Sequence, residues 1–268
     1  MKKTENFAMI CKKGGGTMVQ DYIAVFDSGV GGASVLRQLR RLLPGENFYY
    51  FGDSANAPYG TRTTQEVRRL TLRAAAHMLR TQPVKALVVA CNTATAAAIV
   101  SLRETYPELI VIGIEPAIKP AFTRHPGEAV GIMATEVTLR EEKLAALLRR
   151  LDPENRATRI HVPGLVELVE RGITAGPELE ALLAAHLSPY RDKLSALVLG
   201  CTHYPLAADA IGAAIGSHTE LLDGGEGTAR ETRRQLLARG LLNESGGHIL
   251  YENSKPENIP LMKKLTEG

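Results

Sequence analysis

Two octapeptides constrain this chain more than any other feature. Residues 86–93 read ALVVACNT, and residues 196–203, 110 positions later, read ALVLGCTH. Each is a short, continuous apolar run that ends in a small residue, a cysteine and two polar residues. Uninterrupted runs of this length suit strands buried on both faces, as in parallel sheets. Two thiols, Cys91 and Cys201, at the tips of two similar strands point to one site built from two similar halves.

The surrounding pattern agrees. From Tyr22 the chain reads strand, loop, helix, repeatedly. Ile23–Phe26 is an apolar run, followed by the turn Asp27-Ser28-Gly29-Val30-Gly31-Gly32. Val35, Leu36, Leu39, Leu42 and Leu43 then recur at helical spacing up to Pro44. Residues 48–51 form a second strand. Thr63 and Glu66 predict a capping box opening a helix that turns Val67, Leu70, Ala74 and Met78 inward. Residues 109–114 are a strand closed by Glu115-Pro116. The scheme restarts with strands at 129–133 and 160–162, helices at 144–148 and 165–171, and a longer helix through Leu179, Leu182, Leu183 and Leu187. After the Cys201 strand, Leu221-Leu222 ends a further run, 228–242 is helical, and 249–251 and 259–265 close the chain.

Alternating strands and helices predict an α/β fold of two similar domains, with parallel-type sheets flanked by helices. Ligands of such sheets bind outside the carboxyl ends of the strands. Asp27, Asn56, Tyr59, Gly60, Cys91, Thr135, Cys201 and Asp223 all fall at such ends, so a cleft between the domains is the expected site.

Composition narrows the function. The 268 residues carry 32 basic and 29 acidic side chains, a net charge of +3. No dense Lys/Arg block occurs, so no nucleic-acid partner is expected. The longest uncharged run, 86–102, falls short of a membrane span. Three cysteines without metal-ligand or disulfide spacing predict a cytoplasmic protein with no bound metal. Residues 1–20 are set apart: Lys12-Lys13-Gly14-Gly15-Gly16 reads as a disordered extension, or as a segment ahead of a true start at Met18, and Cys11 within it as incidental.

Several chemistries remain open for the thiols. A strand-end cysteine is ordinarily a small apolar residue. Two in matched contexts, each ahead of a helix start that would lower its pKa, suit a proton donor and a proton acceptor. A Cys201 nucleophile with His203 as its base is a second reading, and a redox pair a third. The glycine turn after Asp27 either cradles a phosphate or carboxylate on its N–H groups or is a tight turn. Asp27 either serves a thiol or caps that turn.

Taken together, Phe26-Asp27-Ser28-Gly29-Val30-Gly31-Gly32, Gly52-Asp53, Pro58-Tyr59-Gly60, Ala90-Cys91-Asn92-Thr93-Ala94-Thr95, Val111–Pro116, Gly200-Cys201-Thr202-His203-Tyr204-Pro205-Leu206 and Leu222-Asp223-Gly224 resemble the bacterial glutamate racemases of the aspartate/glutamate racemase superfamily. The resemblance runs from about residue 22 to 265. It implies a cofactor-independent isomerase that interconverts L- and D-glutamate and supplies D-glutamate for peptidoglycan. Carried over by position, Cys91 and Cys201 are the acid and base. Asp27 assists on the Cys91 side and His203 beside Cys201. Glu170, in preference to Glu167, matches a carboxylate assisting the second thiol. Ser28, Tyr59, Gly60, Asn92, Thr93, Thr135, Thr138, Thr202 and His203, with Asp27, match substrate contacts. No pyridoxal phosphate is expected, because no motif singles out a Schiff-base lysine. The resemblance also implies that 21–115 and 225–268 form the first domain, with 116–224 as the second, and a homodimer is expected. Ala134 and Val137 stand where relatives carry glycine, and Asn253-Ser254 replaces a more usual Gly/Asp turn. The Cys201-Thr202-His203 motif favours glutamate over aspartate, whose racemases more often carry Cys-Thr-Glu. A binding or regulatory protein on the same scaffold is the alternative class.

Overall fold

A computed structural model describes residues 22–140, 142–152 and 154–267. The proposed extension, Cys11 and Met18 lie outside them. Two wholly parallel sheets organise the chain. The first has the order β4-β3-β1-β2-β9, built from β1 (Tyr22–Asp27), β2 (Phe48–Gly52), β3 (Val84–Val89), β4 (Ile110–Gly113) and β9 (Ile249–Asn253). The second has the order β6-β5-β7-β8, built from β5 (Val130–Met133), β6 (Ala157–Ile160), β7 (Ala196–Leu199) and β8 (Glu220–Asp223). The last strand in sequence thus returns to the first sheet, where β9 pairs with β2 from Phe48↔Ile249 to Gly52↔Asn253.

Both faces of each sheet are covered, which is why the strands read as unbroken apolar runs. Successive β1 side chains alternate. Ile23 and Val25 pack toward α1 (Ala33–Leu42), α10 (Gly225–Ala238) and α11 (Ile259–Glu267), while Ala24 and Phe26 pack toward α2 (Thr64–Thr81) and α3 (Asn92–Thr105). In the second sheet Val130 and Ile132 face α4 (Ile118–Arg124) and α6 (Glu142–Leu151). Its other face meets α7 (Leu165–Glu170), α8 (Pro177–Leu187) and α9 (Ala208–Ile215). That core is continuous with the α1 side of the first sheet. Among the described residues no helix is long and apolar enough to cross a membrane.

The capping box forms as the sequence predicts: the Thr63 side chain accepts the Glu66 N–H, and the Glu66 carboxylate accepts the Thr63 N–H. Three departures have local causes. β6 occupies Ala157–Ile160 rather than 160–162, because it is an edge strand whose Thr158 and Arg159 need not be apolar. α10 spans Gly225–Ala238 rather than 228–242. Asp223 Oδ1 accepts the Gly225 N–H at its start, and Gly240, at φ +65°, lies just past its end. α4, α5 (Glu136–Arg140) and α9 are helices of seven, five and eight residues, too short for periodicity to reveal.

Candidate active site

The carboxyl end of β1 turns sharply at Asp27, and consecutive residues of that turn reach both cysteine loops. Ser28 Oγ donates to Cys91 Sγ at 3.4 Å. Asp27 Oδ2 accepts from Thr202 Oγ1 at 3.0 Å, 175 positions away. Ser34 Oγ, in the first turn of α1, donates to the Thr202 carbonyl at 2.8 Å. The two matched motifs therefore meet across the gap between the sheets. Cys91 and Cys201 are 5% and 8% exposed, so the site is nearly closed to solvent.

The thiols are not equivalent. Cys91 is the N-cap of α3, and its sulfur accepts the Ala94 N–H at 3.4 Å. The helix start and the Ser28 hydroxyl favour a thiolate there, but they do not prevail. Burial, reinforced by the nearby Asp27 carboxylate, pushes the thiol up to about 12. The helix start lowers this pKa as expected, but burial outweighs it. Cys201 has no α-helix start at all. A turn through Thr202-His203 leads into a 3₁₀ helix, Tyr204–Ala207, with Pro205 in its first turn, and α9 begins only at Ala208.

In place of a helix, Cys201 has a relay. Its sulfur lies 3.6 Å from His203 Nδ1, and His203 Nε2 lies 2.6 Å from Glu170 Oε1. Burial alone would lower the imidazole pKa. The Cys201 sulfur and the Glu170 carboxylate outweigh it and hold His203 well above its ordinary value. Burial likewise works against Glu170, yet His203, the Val30 N–H and the Ser54 hydroxyl together hold its carboxyl below the usual range. Asp27 goes the other way: burial lifts it to about 6 against the pull of His203 and the Gly29 N–H.

The glycine turn does cradle carboxylates, but they are the protein's own. Gly29 N–H donates to Asp27 Oδ1 at 3.0 Å, and Val30 N–H donates to Glu170 Oε1 at 2.7 Å. A Cβ on Gly29 would lie 1.8 Å from Glu170 Oε1, and one on Gly31 would lie 2.6 Å from His203 Nδ1. These glycines let the second sheet's loops press onto the first. Glu167, one turn before Glu170 on α7, is exposed.

The remaining candidates divide. Thr93 Oγ1 lies 3.3 Å from Thr135 Oγ1, which lies 3.1 Å from Thr138 Oγ1, so three hydroxyls form a chain across the sheets. Thr135 also packs on Gly60, where a Cβ would lie 2.8 Å from the threonine Cβ. Asn92 Oδ1 is buried with no partner among the described residues. Tyr59 is buried, but its hydroxyl donates to Asp53 Oδ2 at 2.8 Å. Asp223, at its strand end, accepts the Gly225 N–H at the start of α10. Sequence reasoning passed over Ser54, which donates to Glu170 Oε2 at 3.2 Å. Its place just past β2, in the loop at the carboxyl end, was the available signal.

A sequence profile described as Asp/Glu/Hydantoin racemase matches residues 23–232. A glutamate racemase of Clostridium perfringens (strain SM101 / Type A) is 42% identical over 250 residues, 91% of this chain and 96% of the relative. The crystal structure of glutamate racemase from Francisella tularensis in complex with D-glutamate superposes with a TM-score of 0.79 at 27% identity, covering 93% of this chain and 94% of that one. The Escherichia coli glutamate racemase in complex with L-glutamate and the activator UDP-MurNAc-Ala gives 0.78 at 30% identity, covering 92% and 95%.

Proposed function

The chain belongs to the aspartate/glutamate racemase family, and from that premise we propose that it interconverts L- and D-glutamate with Cys91 and Cys201 as the paired acid and base. One observation carries the reading: consecutive residues Asp27 and Ser28 tie together two cysteine loops that come from different sheets. Inverting Cα needs a base on one face and an acid on the other. A thiolate removes the Cα proton, leaving a planar carbanion. The opposite thiol returns a proton to the other face, and the roles reverse for the other enantiomer.

The electrostatics suit an α-amino acid. Cys91 is buried beside the Asp27 carboxylate, so its thiolate is disfavoured. The ammonium group of a bound amino acid adds positive charge there and brings both Cys91 and Asp27 toward their anionic forms. Asn92 Oδ1 is an acceptor for the same group. On the Cys201 side the cation is built in, as His203 held by Glu170. Because both thiols are buried beneath contacts between the sheets, the loops must part to admit substrate. A cytoplasmic homodimer supplying D-glutamate to peptidoglycan accompanies this reading. So does the division into one domain of 21–115 with 225–268 and a second of 116–224.

Polarimetry tests the proposal. L-Glutamate incubated with purified protein and no added cofactor should lose its optical rotation as it approaches the racemate. An unchanged rotation at micromolar enzyme would refute the reading.

Gly29→Ala should inactivate without unfolding. The new methyl would overlap the end of the Glu170 side chain, which can swing away, rather than fixed backbone. Displacing Glu170 frees His203, and a misplacement of about 1 Å costs about 10²-fold in rate. Thermal melting should stay close to that of the parent while kcat falls. A variant with parental kcat would show that the carboxylate's position is unimportant.

A further inference from the structure

Asn253 stands outside every role assigned so far, and Ser54 has only its hydrogen bond to Glu170, although both are buried and polar, Ser54 at 3% and Asn253 at 4% exposure. They lie at the carboxyl ends of the paired strands β2 and β9. Asn253 Nδ2 donates to Ser54 Oγ at 3.1 Å, and Ser54 Oγ donates onward to Glu170 Oε2 at 3.2 Å. Asn253 is itself fixed, since its Oδ1 accepts the Lys255 N–H at 2.8 Å and its Nδ2 touches Met262 Sδ at 3.1 Å. Glu170 thus receives three donors. Among the described residues, His203 and the Val30 N–H share Oε1, while Ser54 serves Oε2.

We propose that Ser54, oriented by Asn253, is a positioning residue for Glu170: it fixes the carboxylate plane so that Oε1 stays aligned on His203 and His203 stays aligned on Cys201. This rests on the racemase reading of the site. A carboxylate held at one oxygen only is free to rotate about its last bond, and Ser54 removes that freedom. The amide supplies the reason a serine suffices. With Asn253 donating to its oxygen, the hydroxyl proton has the carboxylate as its remaining partner, so its direction is set. The return of the final strand to the first sheet thereby reaches the chemistry. The unusual Asn253-Ser254 turn has a role here too, because Ser254 Oγ accepts the Ala55 N–H at 2.8 Å and holds the loop that carries Ser54.

The test is Ser54→Ala beside Ser54→Thr. The alanine variant should lose about tenfold in kcat, the low end for a lost hydrogen bond to a charged group, with KM much less affected. Its acid limb of kcat should move to higher pH, because one of the groups stabilising the ionised Glu170 is gone. The other titratable groups facing Glu170 are His203, Asp27 and Tyr50, and none of them is altered. Threonine keeps the hydroxyl and should restore both kcat and the limb. Asn253→Ala should shift both in the same direction by less. An alanine variant with parental kcat and acid limb overturns the proposal. So does a fall in kcat that leaves the limb in place and that threonine does not rescue, since that marks packing alone. A parent that fails to racemise glutamate overturns the reading of the site itself, and the two failures are thereby distinguished.

Discussion

Alanine at either Cys91 or Cys201 is expected to abolish racemisation in a protein that still folds. In the proposed mechanism each thiol serves one face of Cα, so either loss breaks the cycle. A general acid or base contributes about 10²–10⁴-fold, and each thiol acts as both across the two directions. Folding should survive, because a strand-end cysteine gives up little volume as alanine and most single changes cost about 0.5–3 kcal/mol. Cys91→Ala also removes the acceptor of the Ala94 N–H and of the Ser28 hydroxyl, so it should be the less stable of the two. The residual chemistry should be one-sided. The resemblance to the family implies that the Cys91 side meets the D enantiomer and the Cys201 side the L enantiomer. Cys201→Ala should then exchange solvent deuterium into D-glutamate without inversion, and Cys91→Ala into L-glutamate. Chiral separation and mass spectrometry after incubation in D₂O would read this directly. A folded alanine variant that racemises at near the parental rate would eliminate the two-thiol mechanism.

Lys85→Met is expected to destabilise the fold more than any change at the site. Lys85 sits between two apolar strand residues, where pairing of β1 with β3 skips from Tyr22↔Val84 to Ile23↔Ala86. That irregularity takes the side chain out of the strand's alternation and aims it at Glu46. The ammonium lies 2.6 Å from Glu46 Oε2, with the two side chains 8% and 0% exposed, and it donates to the Leu241 carbonyl at 2.7 Å. Glu46 Oε1 accepts the Asn243 N–H, whereas Oε2 has no aligned hydrogen-bond donor among the described residues. The ion pair is what offsets the burial of that oxygen. Removing one partner of such a pair costs about 3–5 kcal/mol, because the other charge is left buried. At roughly 2–4 °C per kcal/mol for a chain near this size, Tm should fall by about 10 °C. The double variant Glu46→Gln, Lys85→Met should recover part of the loss. A single variant melting with the parent would show that Glu46 finds water or a proton at little cost.

Local patterns in the sequence identified what local physics controls. The unbroken runs at 86–89 and 196–199 became central strands because a strand covered on both faces must be apolar throughout. Thr63 and Glu66 formed their capping box because both partners lie within one turn. The placement of the candidate side chains at strand ends followed from parallel topology alone. The order of strands did not follow from the pattern, and neither did the character of the two thiols. The octapeptides are near copies, yet one leads directly into a helix and the other into a 3₁₀ turn, where Gly31 lets the first sheet's turn come close to Thr202 and His203.

Sequence by itself therefore determined the strand–helix alternation, the two cysteines and the turn that faces them, all set by residues within a few positions of one another. Tertiary structure alone decided that Glu170 reaches Val30 across 140 positions, that Ser54 and Asn253 stand behind it, and that burial raises the Cys91 thiol despite its helix. The reason is physical. Periodicity and capping depend on neighbours along the chain. Desolvation and carboxylate partners depend on which segments the sheet order brings together, and no short window of sequence contains that order.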